Sequence, residues 1–244
     1  MQPVNKMIIQ TKGIVLQTTK YSDHSLIVKV FTKKSGTVSF IIKNAFSKKS
    51  KQPASYFSPL SILNLIYNET YTEKLTFLKE VTIAYPFHSI PLDIRKNTML
   101  LFYQELLGKL LFQANAPDEP LYDFIEEHLI QLETTPQLSS DFHIVFLVQL
   151  IQNLGYTPEL NFSMQTPFFS IEDSNFTANN IESPLFLSKE AGFYFYNILK
   201  KNNYETPNKN IRMELLNGMI SYLMKYNKQI KEIESVNILS EIFR

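Results

Sequence analysis

Between Lys12 and Lys51 the chain reads KGIVLQTTKYSDHSLIVKVFTKKSGTVSFIIKNAFSKKSK, short runs of apolar alternation with lysine gathered at their connections. The runs SLIVKVFT (Ser25–Thr32) and TVSFIIK (Thr37–Lys43) are dominated by β-branched and aromatic residues, which pack well on a pleated, half-buried surface. Lys33-Lys34-Ser35-Gly36 between them is short and places glycine where a tight turn needs it, so the two runs predict a β-hairpin. From Lys6 to Lys51 there are ten lysines and one acid, Asp23, a net +9. Positive charge of that density on a small β-unit suits a polyanionic partner.

Three further strands complete the unit. Met7–Leu16 alternates ahead of the hairpin. After the lysine-rich loop Ser47–Lys51 come Leu60–Tyr67 and Leu75–Ala84, separated by a polar turn at Asn68-Glu69-Thr70-Tyr71. Pro53 and Pro59 fall at or before strand starts, where a missing N–H costs little. About five strands in about 80 residues, with no long helix between them, predict a small closed barrel over residues 1–84. An OB-fold is the first reading and an SH3-like barrel the alternative.

The pattern then changes to a helical one, defining a second domain over residues 85–244. A helix starting near Ser89–Asp93 and running to about Gln113 carries Met99, Phe102, Tyr103, Leu106, Leu107, Leu110 and Leu111 at spacings of three and four. Leu100, Leu101 and Phe112 widen that stripe and predict burial around much of the helix. Asp118-Glu119-Pro120 reads as a helix start, and a third helix spans about Ser140–Leu154 with Gly155 ending it. Further helices are expected at about Ser188–Lys201, at Lys209–Tyr226 and near Ile238. Residues 156–184 lack helical period and predict an irregular insertion with a short hairpin at Phe168–Ile171 and Asn175-Phe176. The fold class is therefore α+β: a five-stranded OB-fold barrel, then an all-helical domain with a small hairpin insertion.

Charge follows this division along the chain. Residues 1–80 hold 12 lysines and 4 acids, net +8, and residues 81–244 hold 12 Lys and Arg with 19 acids, net −7, which predicts two domains with different partners. With no cysteine, the chain has no disulfide, no thiolate nucleophile and no Cys-ligated metal. The N-terminal residues lack the apolar core of a signal peptide and no run nears the roughly 18 apolar residues of a membrane span, so a cytoplasmic protein is expected.

No constellation for catalysis emerges. The six glycines are too scattered for a phosphate loop, and His24, His88, His128 and His143 have no metal-ligand spacing. His143 reads as a packing residue. Glu126-Glu127-His128 are helix neighbours that point apart, so a solvated face accounts for them. A nucleic-acid enzyme with two metal ions would need clustered carboxylates, and the basic region has only Asp23.

Binding chemistry remains. Lysines track phosphates while unpaired bases stack on aromatic rings. Phosphate contacts are assigned to Lys12, Lys20, Lys33, Lys34, Lys43, Lys48, Lys49 and Lys51, with Tyr21 and Phe46 as stacking rings in loops. Phe31 and Phe40 are assigned to the barrel core.

Several stretches carry a resemblance. Gly13-Ile14-Val15-Leu16, Tyr21-Ser22-Asp23-His24-Ser25-Leu26-Ile27, Phe31-Thr32-Lys33-Lys34-Ser35-Gly36 and Lys43-Asn44-Ala45, in that order, resemble the N-terminal domain of the bacterial recombination mediator family RecO. In the second half, Leu154-Gly155-Tyr156-Thr157-Pro158-Glu159-Leu160 is similar to the LG-Y-x-P-x-L passage of that family. Phe168–Phe176 likewise looks like its YFS-x-E-x-G-F hairpin. The resemblance implies a non-catalytic, nucleoid-associated protein of DNA repair and recombination. Such a protein would bind single- and double-stranded DNA, anneal complementary strands, and with RecR help load RecA onto DNA coated by the single-stranded-DNA-binding protein (SSB). Many relatives flank the hairpin with two cysteine pairs that hold zinc. This chain has Asn161-Phe162-Ser163-Met164 at the first and no cysteine after it, so no cofactor or metal site is expected and packing must hold the hairpin. Relatives receive the acidic, apolar-ended SSB tail on the helical domain, and Lys200, Lys201 and Arg212 beside Phe193–Leu199 are the candidate residues for it. The rival reading is a protein-interaction adaptor that does not bind DNA directly.

Overall fold

The structure, a computed structural model, describes residues 7–68, 75–179, 181 and 183–243. The chain forms two compact units, Met1–Thr134 and Thr135–Arg244.

In the first unit, β1 (Ile8–Ser22), β2 (Ser25–Thr32), β3 (Gly36–Ile42), β4 (Ile62–Asn68) and β5 (Thr76–Tyr85) close into a barrel. The strand order is β1-β2-β3-β5-β4, with β3 and β5 parallel and every other pair antiparallel. This is the OB-fold of the first reading. Closure depends on β1 serving two neighbours, β4 through Ile8–Ile14 and β2 from Gly13 to Ser22. At the handover sits Gly13, where a Cβ would lie 2.5 Å from Val30 Cγ1 and 2.7 Å from Leu65 Cδ1. A side chain there would force the crossing strands apart. Inside, Val15, Val28, Val30, Phe40, Leu63, Leu65 and Tyr67 form the core, with Phe57 added from a 3-10 turn at Ala54–Phe57.

Two boundaries differ from expectation. The first strand continues to Ser22 because Lys20 pairs with Leu26 and Ser22 with Ser25. Residues 17–22 are all exposed, so backbone pairing without a buried face extends the strand, and Tyr21 lies in a strand rather than a loop. The fourth strand starts at Ile62 because Leu60 adopts a left-handed conformation (φ 56°). The turn expected at 68–71 lies outside the described residues beyond Asn68.

Two helices, α1 (Ile94–Leu110) and α2 (Glu119–Thr134), belong to the same unit. A separate 3-10 turn, Ile90–Leu92, precedes α1, and Asp93 caps the helix by accepting from the N–H groups of Arg95 and Lys96. Pro91 lies in the 3-10 turn and Asp93 is extended, which is why α1 starts later than its apolar pattern suggests. α1 ends at Leu110 rather than near Gln113, so Phe112 lies beyond it, and with Leu101 and Ile94 exposed the helix buries one face only. The Glu133 carboxylate accepts the N–H groups of His88, Ser89 and Ile90 at 2.7–2.9 Å, while buried Lys96 donates to the Glu133 carbonyl and Ser89 Oγ at 2.7 Å. The end of α2 is thereby latched to the segment that leaves the barrel. On the barrel side, Thr37 donates its N–H to Ala114 O (2.7 Å) and its hydroxyl to Leu111 O (2.6 Å), and Phe31 meets Tyr122 at 6.0 Å between ring centres. Whereas the secondary-structure pattern changes after Ala84, the compact unit runs to Thr134.

The second unit holds α3 (Phe142–Asn153), α4 (Lys189–Lys200), α5 (Lys209–Tyr226) and α6 (Ser235–Ile242). Gly155 ends α3 with φ +80°, its N–H bonded to Gln152 O and that of Tyr156 to Ile151 O. The expected hairpin is present as β6 (Phe168–Ser170) and β7 (Asn175–Thr177), and β8 (Phe186–Leu187) pairs with the other edge of β6. Residues 180 and 182 of the 156–184 insertion lie outside the described residues. Aromatic rings seat the small sheet: Phe169 contacts Phe195 at 4.8 Å and Phe176 at 5.1 Å, and Phe162 stacks on Tyr196 at 5.0 Å. Among the described residues, no helix is long and apolar enough to cross a membrane.

Candidate nucleic-acid interface

The barrel lysines fall into two groups with different electrostatic surroundings. In the first, Lys12 and Lys33 face α2. Lys12 Nζ lies 2.9 Å from Glu126 Oε1, and Lys33 Nζ lies 2.7 Å from both oxygens of Asp123 and 4.0 Å from Glu119. The hydrogen bond to Asp123 leads the effects that raise the Lys33 pKa. These two ammonium groups, with Lys34, line a groove of about 660 Å³ that also contains Glu80 and Glu126, so its field is mixed. Lys29, on the same barrel, stands 2.9 Å from the centre of the Phe112 ring, and its pKa is lowered by desolvation. Lys20 pairs with Asp23 at 3.1 Å, both side chains exposed.

The second group lies on the connection between β3 and β4. Lys43, Lys49 and Lys51 line a groove of about 300 Å³ with Asn44, Ser47, Ser50 and Gln52, and Lys48 is exposed on the same loop. Among the described residues none of these four lysines has an ion-pair partner. The loop itself is fixed. Ala45 donates its N–H to His24 O (3.0 Å), Ala54 to Ala45 O (2.9 Å), and the Gln52 amide to Leu78 O on β5 (3.1 Å). Asn44 supplies the left-handed bend after β3 (φ 55°), a conformation its short polar side chain tolerates. Uncompensated cations on an anchored loop hold a localised positive potential that a mobile loop would average away.

Of the proposed stacking rings, Tyr21 is 61% and Phe46 50% exposed. Phe40 is buried in the barrel core as expected, whereas Phe31, also fully buried, lies outside that core cluster and meets Tyr122 of α2. Two residues that the sequence reading left out stand on the same edge, Phe77 and Lys79. The strand Thr76-Phe77-Leu78-Lys79 buries Thr76 and Leu78 and turns Phe77 and Lys79 outward. Period-two alternation carries that signal in the sequence, but only the pairing of Phe77 with Ile41 brings it beside Lys43, whose Nζ lies 5.0 Å from the Phe77 ring centre.

In the helical unit, Lys200 ends α4 and Lys201 follows as its left-handed cap, with Lys200 Nζ 6.0 Å from the Tyr196 ring. Arg212, on α5, donates to the carbonyls of Pro207 (2.7 Å) and Phe243 (3.0 Å), beside His143. Its guanidinium is therefore engaged within the unit, and the small cavity it lines does not include Lys200 or Lys201. Among the described residues, no group of three or more His, Asp or Glu is placed to hold a metal ion.

An OB-fold barrel with an unneutralised cationic edge, followed by a helical unit bearing a small aromatic hairpin, defines the class as a two-unit, OB-fold-containing protein. Residues 7–87 match the family profile described as Recombination protein O N terminal, and residues 91–168 match Recombination protein O C terminal. The chain is 32% identical to the DNA repair protein RecO of Flavobacterium psychrophilum and 32% to that of Flavobacterium johnsoniae. It is 30% identical to the DNA repair protein RecO of Bacteroides fragilis, and each alignment covers 97% of this chain and 100% of the relative. The chain belongs to the RecO family, recombination mediators of DNA repair.

Proposed function

We propose that the barrel, residues 1–84, binds DNA without catalysing its cleavage, with the β3–β4 loop as the phosphate path. The single observation that carries this is the group of Lys43, Lys48, Lys49 and Lys51, anchored in place and without ion-pair partners among the described residues. Lys20, Tyr21 and Phe46 extend the path, while Lys34 lies at the other end of the β2–β3 hairpin in the mixed-field groove, and Lys12 and Lys33 contribute less because α2 carboxylates already compensate them. Family membership supports the wider role: binding of single- and double-stranded DNA, annealing of complementary strands, and loading of RecA with RecR onto SSB-coated DNA. On this reading the protein acts in the cytoplasm at the nucleoid. Lys200 and Lys201 are the remaining cationic candidates for the SSB tail, since Arg212 is committed to backbone carbonyls.

Phosphate contacts carry no sequence information, so binding should be indifferent to sequence. With about five phosphates neutralised, log K should fall against log salt with a slope near −3.5, at about −0.7 per single-strand contact. Replacing Lys43, Lys48 and Lys49 together by Ala should flatten that slope by about two units, whereas Lys228→Ala with Lys231→Ala should leave it unchanged. No salt dependence, or equal losses from both sets, would favour the adaptor reading.

A further inference from the structure

We infer that Phe77, with Lys43 beside it, is a stacking platform for an unpaired nucleobase, and that this contact makes the barrel edge prefer single-stranded over duplex DNA. The inference rests on the proposed DNA-binding reading and adds to it the part of the ligand that the lysines cannot recognise. Phe77, the second residue of β5, is 57% exposed, and the next exposed positions along that strand, Lys79 and Glu80, are charged. A ring left in water on a strand face, with a cation over it, presents one apolar surface of the right size for a base.

The surroundings select the ligand. Lys43 Nζ is 5.0 Å from the ring centre, close enough for a cation–π contact yet with no carboxylate partner among the described residues, so it can also meet a phosphate. Lys49 and Lys51 continue the positive line along the groove, and the Gln52 bond to Leu78 O fastens that groove to the residue next to Phe77. Ring and cations are therefore held in fixed relation, which a base and its own phosphate require. Tyr21 and Phe46 are as exposed, but no cation stands over either ring among the described residues. A base in a duplex keeps both faces in its stack and cannot reach the ring, whereas a single strand offers a free face at every nucleotide. Stacking involves no counterion release, so its contribution is separable from that of the lysines.

The test uses the full chain, an oligo-dT single strand and a duplex of equal length. Phe77→Ala should weaken single-strand binding about tenfold or more, leave duplex binding within about twofold, and leave the salt slope unchanged. Phe77→Trp should retain single-strand affinity. Because the chain has no other tryptophan, its emission should be quenched on adding oligo-dT and not on adding duplex. Unchanged single-strand affinity in Phe77→Ala, an equal loss on both ligands, or a Phe77→Trp protein that binds oligo-dT without quenching would each overturn the platform. If the lysine triplet leaves the slope intact, the DNA-binding reading itself fails. A normal slope with an indifferent Phe77 removes the platform alone.

Discussion

His128 and His143 are both buried, one in each unit, and burial depresses the pKa of each to about 3. His128 Nε2 lies 3.1 Å from the Tyr103 hydroxyl, while His143 Nδ1 has no hydrogen-bond partner among the described residues. Arg212 nearby adds a smaller effect of the same sign on His143. The folded protein keeps both rings neutral, whereas the unfolded chain protonates them below about pH 6.5, so the unfolded state gains protons first. Their stabilisation is present above pH 6.5 and is lost as pH falls toward 3. At pH 4.5 the loss should be roughly 2–3 kcal/mol for each histidine, from about two pH units below the unfolded pKa. Urea midpoints measured from pH 7.5 to 4.5 should decline from about 6.5 downward, and His143→Leu should remove its share of the decline. A flat profile down to pH 5 would show that these rings are not held neutral by burial. Residue roles were legible where the relevant partners are close in the chain. Lys43, Lys48, Lys49 and Lys51 lie within nine positions and show as a cluster in the sequence itself. The compensation of Lys12 and Lys33 was not legible, because Glu126 and Asp123 are 114 and 90 positions away.

Elements were legible wherever one face is buried. The second strand was placed at its observed ends because its apolar residues alternate, whereas the last six residues of β1 have no buried face and carry no such mark. The hairpin of β6 and β7 was also visible as aromatic alternation, but what fastens it was not. Lys225 on α5 donates to Glu172 O at 2.6 Å, Ser174 Oγ at 2.7 Å and Ile171 O at 3.3 Å, closing the turn between the two strands. Its ammonium also lies 4.7 Å from the Tyr226 ring, which stacks on Tyr156 at 4.6 Å. A cation thus joins the hairpin turn to α5 by bonds to backbone oxygens, with ring packing behind it. Phe169→Ala should cost about 3–5 kcal/mol, the usual range for removing a buried ring. Lys225→Ala should cost about 1 kcal/mol, since its bonds are charge-assisted but exposed, and should leave the DNA salt slope unchanged. A chelator should not alter the melting temperature. A stoichiometric zinc by elemental analysis, or a melting temperature lowered by chelation, would show that ring packing and Lys225 are not what fastens the hairpin.

At the scale of the molecule, the division of charge changes once the units are known. The chain splits sharply at residue 80, but residues 81–134, which carry α1 and α2, bring eight acids and three basic residues into the barrel's unit. The first unit then holds 15 Lys and Arg against 12 Asp and Glu, net +3, and the second 9 against 11, net −2. Net charge per unit is therefore a poor guide to binding here, and the local potential of the β3–β4 loop takes its place. The same packing decides what can fold alone. The barrel buries Phe31 where Tyr122 approaches it, and β3 passes a backbone and a side-chain hydrogen bond to the segment after α1. Gly36 (φ +66°) approaches that segment so closely that a Cβ would lie within 2.2 Å of Ala114 O. Cutting after Ala84 would expose Phe31 and leave Thr37 without these partners, in a unit already near the size where a core is marginal. A fragment of residues 1–134 should therefore unfold cooperatively and reproduce the salt slope of the full chain on single-stranded DNA. A fragment of residues 1–84 should lack a cooperative transition or aggregate. The comparison is made by thermal melting followed by circular dichroism, with DNA titrations on whichever fragment folds. Cooperative folding of 1–84 with an unchanged slope would show that α1 and α2 are accessories to the barrel. Failure of 1–134 to bind, despite folding, would move the DNA site out of this unit altogether.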